Sequence, residues 1–142
     1  MMKKLIYFLP ALLILAAGCF NDNNTTPIPN PEGTFAGEFR LVRRLPNVTK
    51  LDTAKANIQL VITPGVGFKV LGDTSTVHAG SKGHYGIAGN GIRFVDSTFK
   101  AGNYTKRHLQ GDYLFVYNGS ILQMVLNSAD TLSLQYDLKK TN

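Results

Sequence analysis

The 142-residue sequence has one cysteine and no tryptophan. A lone thiol cannot pair within the chain, so no internal disulfide framework supports the fold. Long apolar runs are also missing, because the longest one, Leu5 to Ala17, has 13 residues. A membrane-spanning helix needs about 20. No window of helical length has apolar residues at a 3.6-residue period, which argues against a helical fold.

Motifs of catalysis are absent as well. The sequence has no Gly-x-Ser-x-Gly elbow, no phosphate-binding loop and no zincin helix. Carboxylates such as Glu38, Asp96, Asp112 and Asp137 are scattered, without a partner arrangement suited to acid–base chemistry. We therefore predict that the protein is not an enzyme and carries no cofactor.

The N-terminus is typical of an export signal. Lys3 and Lys4 precede the apolar run, and small residues from Ala16 to Gly18 follow it. The run has the length of a signal's apolar region, about 7–15 residues. A buried core helix is the alternative, but it fits the two lysines and the small residues less well. Residues 1–18 are thus predicted to form a signal peptide.

The cysteine comes directly after this signal. The sequence from Leu15 to Cys19, LAAGC, resembles the lipobox of bacterial lipoproteins. The resemblance implies cleavage before Cys19, a diacylglycerol on its sulfur, and a membrane partner held through N-terminal acyl chains. Lipid would also block a thiol that is a liability in an oxidising compartment. Each buried methylene contributes about 0.8 kcal/mol to such an anchor.

Residues 20–32, FNDNNTTPIPNPE, are polar and rich in proline. Such a composition buries little, so we predict a lipidated, disordered tether over residues 19–32. Its acidic and asparagine content resembles the surface-export tethers of Bacteroidota lipoproteins, which implies the outer membrane, on its periplasmic or surface face. An exported address argues against a nucleic-acid partner. A formal net charge of +6 can favour anionic partners, but scattered solvated lysines are the better explanation.

From residue 33 to 142 the pattern is that of β-structure, with alternating apolar residues and frequent glycine turns. The sequence predicts strands at about 34–44, 56–63, 66–79 with a bulge near Gly72, 83–88, 92–97, 109–117, 120–126 and 132–139. Eight short antiparallel strands joined by hairpins predict an all-β, up-and-down barrel, in which closure removes exposed edges. A two-sheet β-sandwich is the alternative.

Strand number, spacing and the segment LQGDYLFVYNGSILQMVL resemble the lipocalin-like domains of small bacterial lipoproteins. The resemblance covers about residues 33–140 and implies a lipocalin-like barrel domain over 33–142. Lipocalins carry Gly-x-Trp near the first strand, where this chain has Gly33-Thr34-Phe35 and Gly37-Glu38-Phe39.

Hairpin turns predict the strand register. A two-residue turn at Asn118-Gly119 sets Phe115 opposite Leu122, and a loop over 127–131 sets Met124 opposite Leu134. A loop over 63–67 sets Ile62 opposite Phe68. Two turns remain open at residues 89–91. Gly89-Asn90 pairs Tyr85 with Phe94, and Asn90-Gly91 pairs Ile87 with Phe94.

The barrel interior is the first candidate site. Alternation turns one set of apolar residues inward: Phe35, Phe39, Leu41, Ile58, Leu60, Ile62, Phe68, Val70, Tyr85, Ile87, Phe94, Tyr113, Phe115, Leu122, Met124, Leu134, Tyr136 and Leu138. An eight-stranded barrel can be filled by its own side chains or can hold one small ligand. In the second case Tyr113, Tyr117 and Tyr136 would orient a small apolar or amphipathic ligand. Arg43 would bind its carboxylate at the barrel mouth, or else be a solvated arginine.

The outer face is the second candidate site. Leu114, Val116, Ile121 and Val125 alternate with the inward set and point outward. They form a surface for an envelope protein partner, unless another segment of the chain covers them.

Two further patterns have simple alternatives. A five-residue loop would set His78 opposite His84, but no third ligand has the spacing that zinc needs, and we predict no metal. Three triplets, beginning at Asp52, Asp96 and Asp130, resemble the O-glycosylation triplet of Bacteroidota. Asp followed by Ser or Thr is also ordinary turn chemistry.

Overall fold

The computed structural model describes residues 29–44, 50–100, 102, 105–128 and 132–142. Cys19, the predicted signal peptide and most of the predicted tether lie outside the described residues. The described part is all-β, and its strands are β1 (Gly33–Arg44), β2 (Leu51–Thr63), β3 (Gly67–Gly72), β4 (Lys82–Ala88), β5 (Gly91–Asp96), β6 (Gly111–Tyr117), β7 (Ile121–Ser128) and β8 (Leu132–Lys140).

The strands form a closed antiparallel barrel in sequence order. β1 pairs with β2 along its whole length and closes the barrel by pairing with β8, with Phe39 opposite both Ala56 and Tyr136. This topology confirms the predicted barrel and rules out the sandwich. Closure leaves no strand of the sheet as an exposed edge.

One predicted strand segment is wrong. β3 ends at Gly72, whose φ of 92° turns the chain away from the sheet, and residues 73–81 form a connection rather than the second half of a bulged strand. Inward-facing residues do change from even numbers in β3 to odd numbers in β4, as predicted. The connection produces this change, so no bulge is needed.

The hairpin registers were predicted with mixed success. Ile62 is opposite Phe68 and Tyr85 is opposite Phe94, which confirms two predictions and selects the Gly89-Asn90 turn. The pairings predicted for β6–β7 and β7–β8 are wrong by two residues, since Phe115 is opposite Met124, and Met124 is opposite Tyr136. A shift of two keeps every side chain on its face of the sheet.

The two ends of the barrel differ. Short connections at 64–66, 89–90 and 118–120 lie at one end, here called the hairpin end, where β1 begins and β8 finishes. The opposite end, here called the loop end, is where β1 finishes and β2 begins, and the 73–81 connection and residues 97–100 and 105–110 lie there. The chain therefore enters the barrel at the hairpin end. Just before β1, Pro31 is buried.

The core lies inside the barrel. Of the inward set, all residues are buried except Tyr85 and Ile87, which are half-buried and pack against the core. Ala56, Ile92, Leu109 and Tyr117 are buried with them. Burial of this apolar surface is the main force that holds the barrel closed, at roughly 25 cal/mol per Å².

Candidate functional site

Aromatic side chains that contact one another pack across the barrel interior. The contacts run from Phe68 to Phe94 (centroids 4.9 Å apart), to Tyr113 (5.9 Å), to Tyr136 (5.5 Å) and to Phe39 (4.9 Å). Three of the four contacts are edge-on and the last is tilted, geometries that aromatic pairs favour. Two tyrosines that were predicted to orient a ligand, Tyr113 and Tyr136, thus pack against each other.

Tyr117, the third predicted tyrosine, lies near the hairpin end. Its ring packs edge-on against Phe35 with centroids 5.6 Å apart, and its hydroxyl donates a 2.9 Å hydrogen bond to the carbonyl of Gly119. The structure therefore does not bring Tyr117 into hydrogen-bonding contact with Tyr113 or Tyr136.

His78 is buried at the loop end, with no exposed surface. Its Nδ1 lies 2.6 Å from the carbonyl oxygen of Ala79 and its Nε2 lies 2.9 Å from the Tyr136 hydroxyl. A carbonyl can only accept, so Nδ1 carries the proton and Nε2 accepts from Tyr136. Burial lowers the pKa of His78 to about 4 and raises the pKa of Tyr136 well above its ordinary value. Both groups are therefore neutral at pH 7.

The predicted facing of His78 and His84 is wrong. His84 is exposed on β4, opposite Val95, whereas His78 is on the connection that turns inward. Within the described ranges no group of three His, Cys, Asp or Glu side chains is placed to hold a metal ion.

Arg43 is exposed and does not point into the interior. Leu41 is the last buried residue of β1, so the strand has passed the rim of the core before Arg43. The Arg43 guanidinium donates to the carboxylate of Asp52 on the neighbouring strand at 2.6 and 3.1 Å. The prediction of a carboxylate-binding arginine in the barrel mouth is therefore wrong, and the solvated alternative describes it better.

Sequence reasoning missed a polar cluster at the loop end. The buried carboxylate of Asp96 accepts from the backbone N–H and hydroxyl of Thr98 (2.7 and 2.5 Å) and lies 2.7 Å from Nδ1 of His108. Burial would raise the pKa of Asp96, but hydrogen bonds from Thr98 and His108 outweigh it and hold the pKa below its ordinary value. These bonds hold Thr98 and His108 against the end of β5.

The Asp96 cluster also bears on the glycosylation triplets. Asp96 bonds to Thr98 two residues later, which is the turn chemistry offered as the alternative. Thr53 lies within β2, and the triplet that begins at Asp130 extends beyond the described residues.

The outer apolar face on β6 and β7 is exposed. Leu114, Val116 and Ile121 retain 59%, 68% and 42% of their accessible surface, and Val125 is half-buried. A groove of about 460 Å³ crosses this region, and its lining includes Leu114, Val116 and Val125 together with polar side chains. The polar lining consists of Arg40, Asn90, Gln123, Gln135 and Asp137.

Arg40, on β1, pairs with carboxylates of β8 and β1 at the side of this groove. Its Nη2 lies 3.5 Å from the Asp137 carboxylate, and its buried Nε lies 3.6 Å from that of Glu38 but makes no hydrogen bond with the described residues. The groove thus combines apolar and polar lining residues.

Comparison with protein-family models, curated proteins and solved structures gives no match to the chain. The described part of the chain contains no helix with the length and apolar character that crossing a bilayer requires.

Proposed function

We propose that the protein is an exported, lipid-anchored, lipocalin-like barrel that acts without catalysis, as an envelope accessory that binds a protein partner through the outer apolar face. The observation that carries this proposal is the combination of a filled interior with an exposed apolar surface on the same strands. Side chains of β6 and β7 that point inward are buried in the core, and most of those that point outward are exposed to solvent.

Most polar and aromatic groups in the interior already have partners within the protein. Tyr136 is bonded to His78, Tyr117 to a backbone carbonyl, and the ring contacts span the barrel from Phe68 to Phe39. A ligand would have to break this packing, and core rearrangements of that kind cost several kcal/mol.

The outer apolar face has the anatomy of a contact surface. Large apolar side chains that are adjacent and exposed mark interaction sites more often than scattered ones do. Interfaces combine an apolar centre with a polar rim, as Leu114 and Val116 do with Gln123, Gln135 and Arg40. The face lies on the outer side of the barrel wall, on β6 and β7.

Site-specific photo-crosslinking in the native host tests the partner surface. We expect a photoreactive residue at Leu114 or Val116 to give a discrete crosslinked species in membranes. The same residue at Val95, an exposed apolar position on β5 (51%), is the matched control. Equal crosslinking at all three positions, or none at Leu114 and Val116, would contradict the proposal.

The anchor is tested separately. With Cys19→Ser, we expect the precursor to remain uncut and the lipid to be absent, because the lipobox chemistry needs the sulfur. Metabolic labelling with a fatty acid and fractionation of membranes measure both. A variant that is still processed, and still partitions with membranes, would refute the lipoprotein assignment without touching the outer-face proposal.

One observation favours a second candidate function, a carrier of a small amphipathic ligand inside the barrel. The hydroxyl of Tyr113 is buried beside that of Tyr136 but makes no hydrogen bond of good geometry within the described residues, and burial raises its pKa to about 12. A buried hydroxyl without a well-formed hydrogen bond costs up to about 1–3 kcal/mol, and a polar group on a ligand would relieve that cost.

A further inference from the structure

Two lysines face each other across the junction of β3 and β4. Lys69 is directly opposite Lys82, and both side chains are exposed. Directly opposed residues on neighbouring strands have Cβ atoms about 4.5–5.5 Å apart, and like charges in that position destabilise the sheet. A nearby negative charge would relieve this repulsion.

At other positions where charged residues of neighbouring strands are opposed, a carboxylate balances the positive charge. Arg43 is opposite Asp52, and Arg93 is opposite Asp112. A second like-charge pair, Arg40 opposite Lys55, shares the carboxylate of Glu38, which lies 3.6 and 3.2 Å from the two cations.

Lys69 and Lys82 have no such bridge. Neither side chain makes an ion pair with a carboxylate of the described residues. The nearby Asp96 accepts a long 3.4 Å hydrogen bond from the Lys82 backbone, but its carboxylate is buried and bonded to His108 and Thr98. The positive charge at this junction is therefore left for solvent or a ligand to balance.

The two lysines line a groove of about 430 Å³, here called the basic groove. Glycines let the backbones approach closely beside this groove, since a Cβ on Gly67 would collide with the Gly83 carbonyl oxygen. The rest of the lining consists of an imidazole, two hydroxyls and apolar side chains: His84, Thr63, Ser97, Val61, Val66 and Phe68.

We propose that the basic groove binds a phosphomonoester, with Lys69 and Lys82 on the phosphoryl oxygens and Val61 and Val66 against the organic part. Two ammonium groups match the charge of a phosphomonoester dianion, and charge-assisted hydrogen bonds are the strong ones. The site is on a different part of the barrel from the outer apolar face and does not depend on the proposed function.

Titration of the full-length chain in a non-ionic detergent tests this site, with inorganic phosphate and phenyl phosphate as probes and backbone amide shifts of Lys69, Lys82 and His84 as the readout. We expect saturable shifts, with phenyl phosphate binding more tightly than phosphate. Lys82→Gln should weaken phosphate about tenfold, the loss expected for one charge-assisted bond. Lys139→Gln removes the same charge from β8 and should leave the affinity within about twofold.

Equal losses in Lys82→Gln and Lys139→Gln would show attraction by net charge only and would overturn the site. Equal affinity for the two probes would overturn the role of Val61 and Val66. A melting measurement guards against misfolding, because Lys82→Gln removes a repulsion and should unfold at the same temperature or higher without phosphate. At the same concentration, phosphate should raise the melting temperature of the wild type more than that of Lys82→Gln.

A third probe separates a soluble phosphomonoester from a lipid headgroup. Short-chain, water-soluble phosphatidic acid carries the same phosphoryl group on two acyl chains. If phenyl phosphate binds at least as tightly as this lipid, the soluble ligand is supported. Much tighter binding of the lipid would overturn that assignment in favour of a headgroup.

Discussion

Two parts of the barrel are held in different ways. The wall formed by β8, β1 and β2 has continuous pairing, with β1 matched from Gly33 to Arg44 on one side and from Phe35 to Arg43 on the other. The seam between β3 and β4 has only two matched pairs, Phe68 with Gly83 and Lys69 with Lys82.

Side chains explain the difference. The wall places Phe35 and Phe39 in the core and Glu38 between two cations outside, so both faces of β1 are stabilised. The seam brings backbones close at Gly67 and Gly83 and opposes two lysines. Closure of a barrel therefore does not require equal pairing at every junction.

His78 connects the two parts. It lies on the 73–81 connection that joins β3 to β4, and it bonds to Tyr136 of β8 and packs edge-on against Phe39 of β1 at 4.7 Å. The Val70 N–H also donates to Ser81 of this connection at 2.7 Å. A buried side chain thus ties the seam to the wall where strand pairing stops.

The largest expected effect is on the wall. Phe39→Ala should lower the free energy of unfolding by about 3–5 kcal/mol, the usual cost of removing a buried phenylalanine. Urea unfolding followed by circular dichroism measures it. Val95→Ala, on the outer face of β5, should change stability by only about 0.5 kcal/mol. Similar losses for both variants would contradict a continuous core behind the wall.

Acid should loosen the link between wall and seam. His78 is neutral in the fold, with a pKa of about 4, but protonates near 6.5 when unfolded. Between these values the unfolded chain binds the extra proton, so stability falls as pH drops from 6.5 to 4, by about 3 kcal/mol. Asp96 acts in a lower window, because its contribution is lost only below its ordinary pKa.

Unfolding of variants at several pH values isolates the His78 contribution. His78→Gln should have nearly constant stability between pH 6.5 and 4, whereas His84→Gln, on the exposed side of β4, should keep the wild-type slope. If His78→Gln retains the full slope, another group is responsible for the acid sensitivity.

The smallest expected effect is local opening of the seam. The Val70 amide should exchange its hydrogen at least about tenfold faster than amides at the centre of β1, because short pairing opens without global unfolding. Hydrogen exchange followed by NMR measures this ratio. His78→Gln should increase the Val70 rate further. Uniform exchange across β1 and β3 would mean that the seam is as stable as the wall.

The sequence was sufficient for the topology and the faces of the sheet. Alternation at Phe68, Val70, Tyr113 and Phe115 identified inward residues because each face of a strand has a period of two. It did not set every pairing. The Asn118 side chain accepts from the N–H groups of Ser120 and Ile121 at 3.0 and 2.8 Å, which lengthens that turn by two residues.

The side-chain contacts made by the long connections could not be predicted from the sequence. His78 bonds to a residue 58 positions away, and Asp96 reaches His108 across the 97–110 connection. Lys69 and Lys82 become opposed only because of the register of the seam, which no short turn fixes. Local patterns carry no information about such pairings, since the intervening chain is long and irregular.

Native mass spectrometry of the full-length chain, purified from host membranes in a non-ionic detergent, tests most directly whether the interior is structural and the function lies outside. We expect the mass of the processed chain that begins at Cys19, with its N-terminal lipid and no further molecule, since ring contacts span the core from Phe68 to Phe39. An additional small molecule that is lost in Tyr113→Phe would contradict this account and assign the interior to ligand binding.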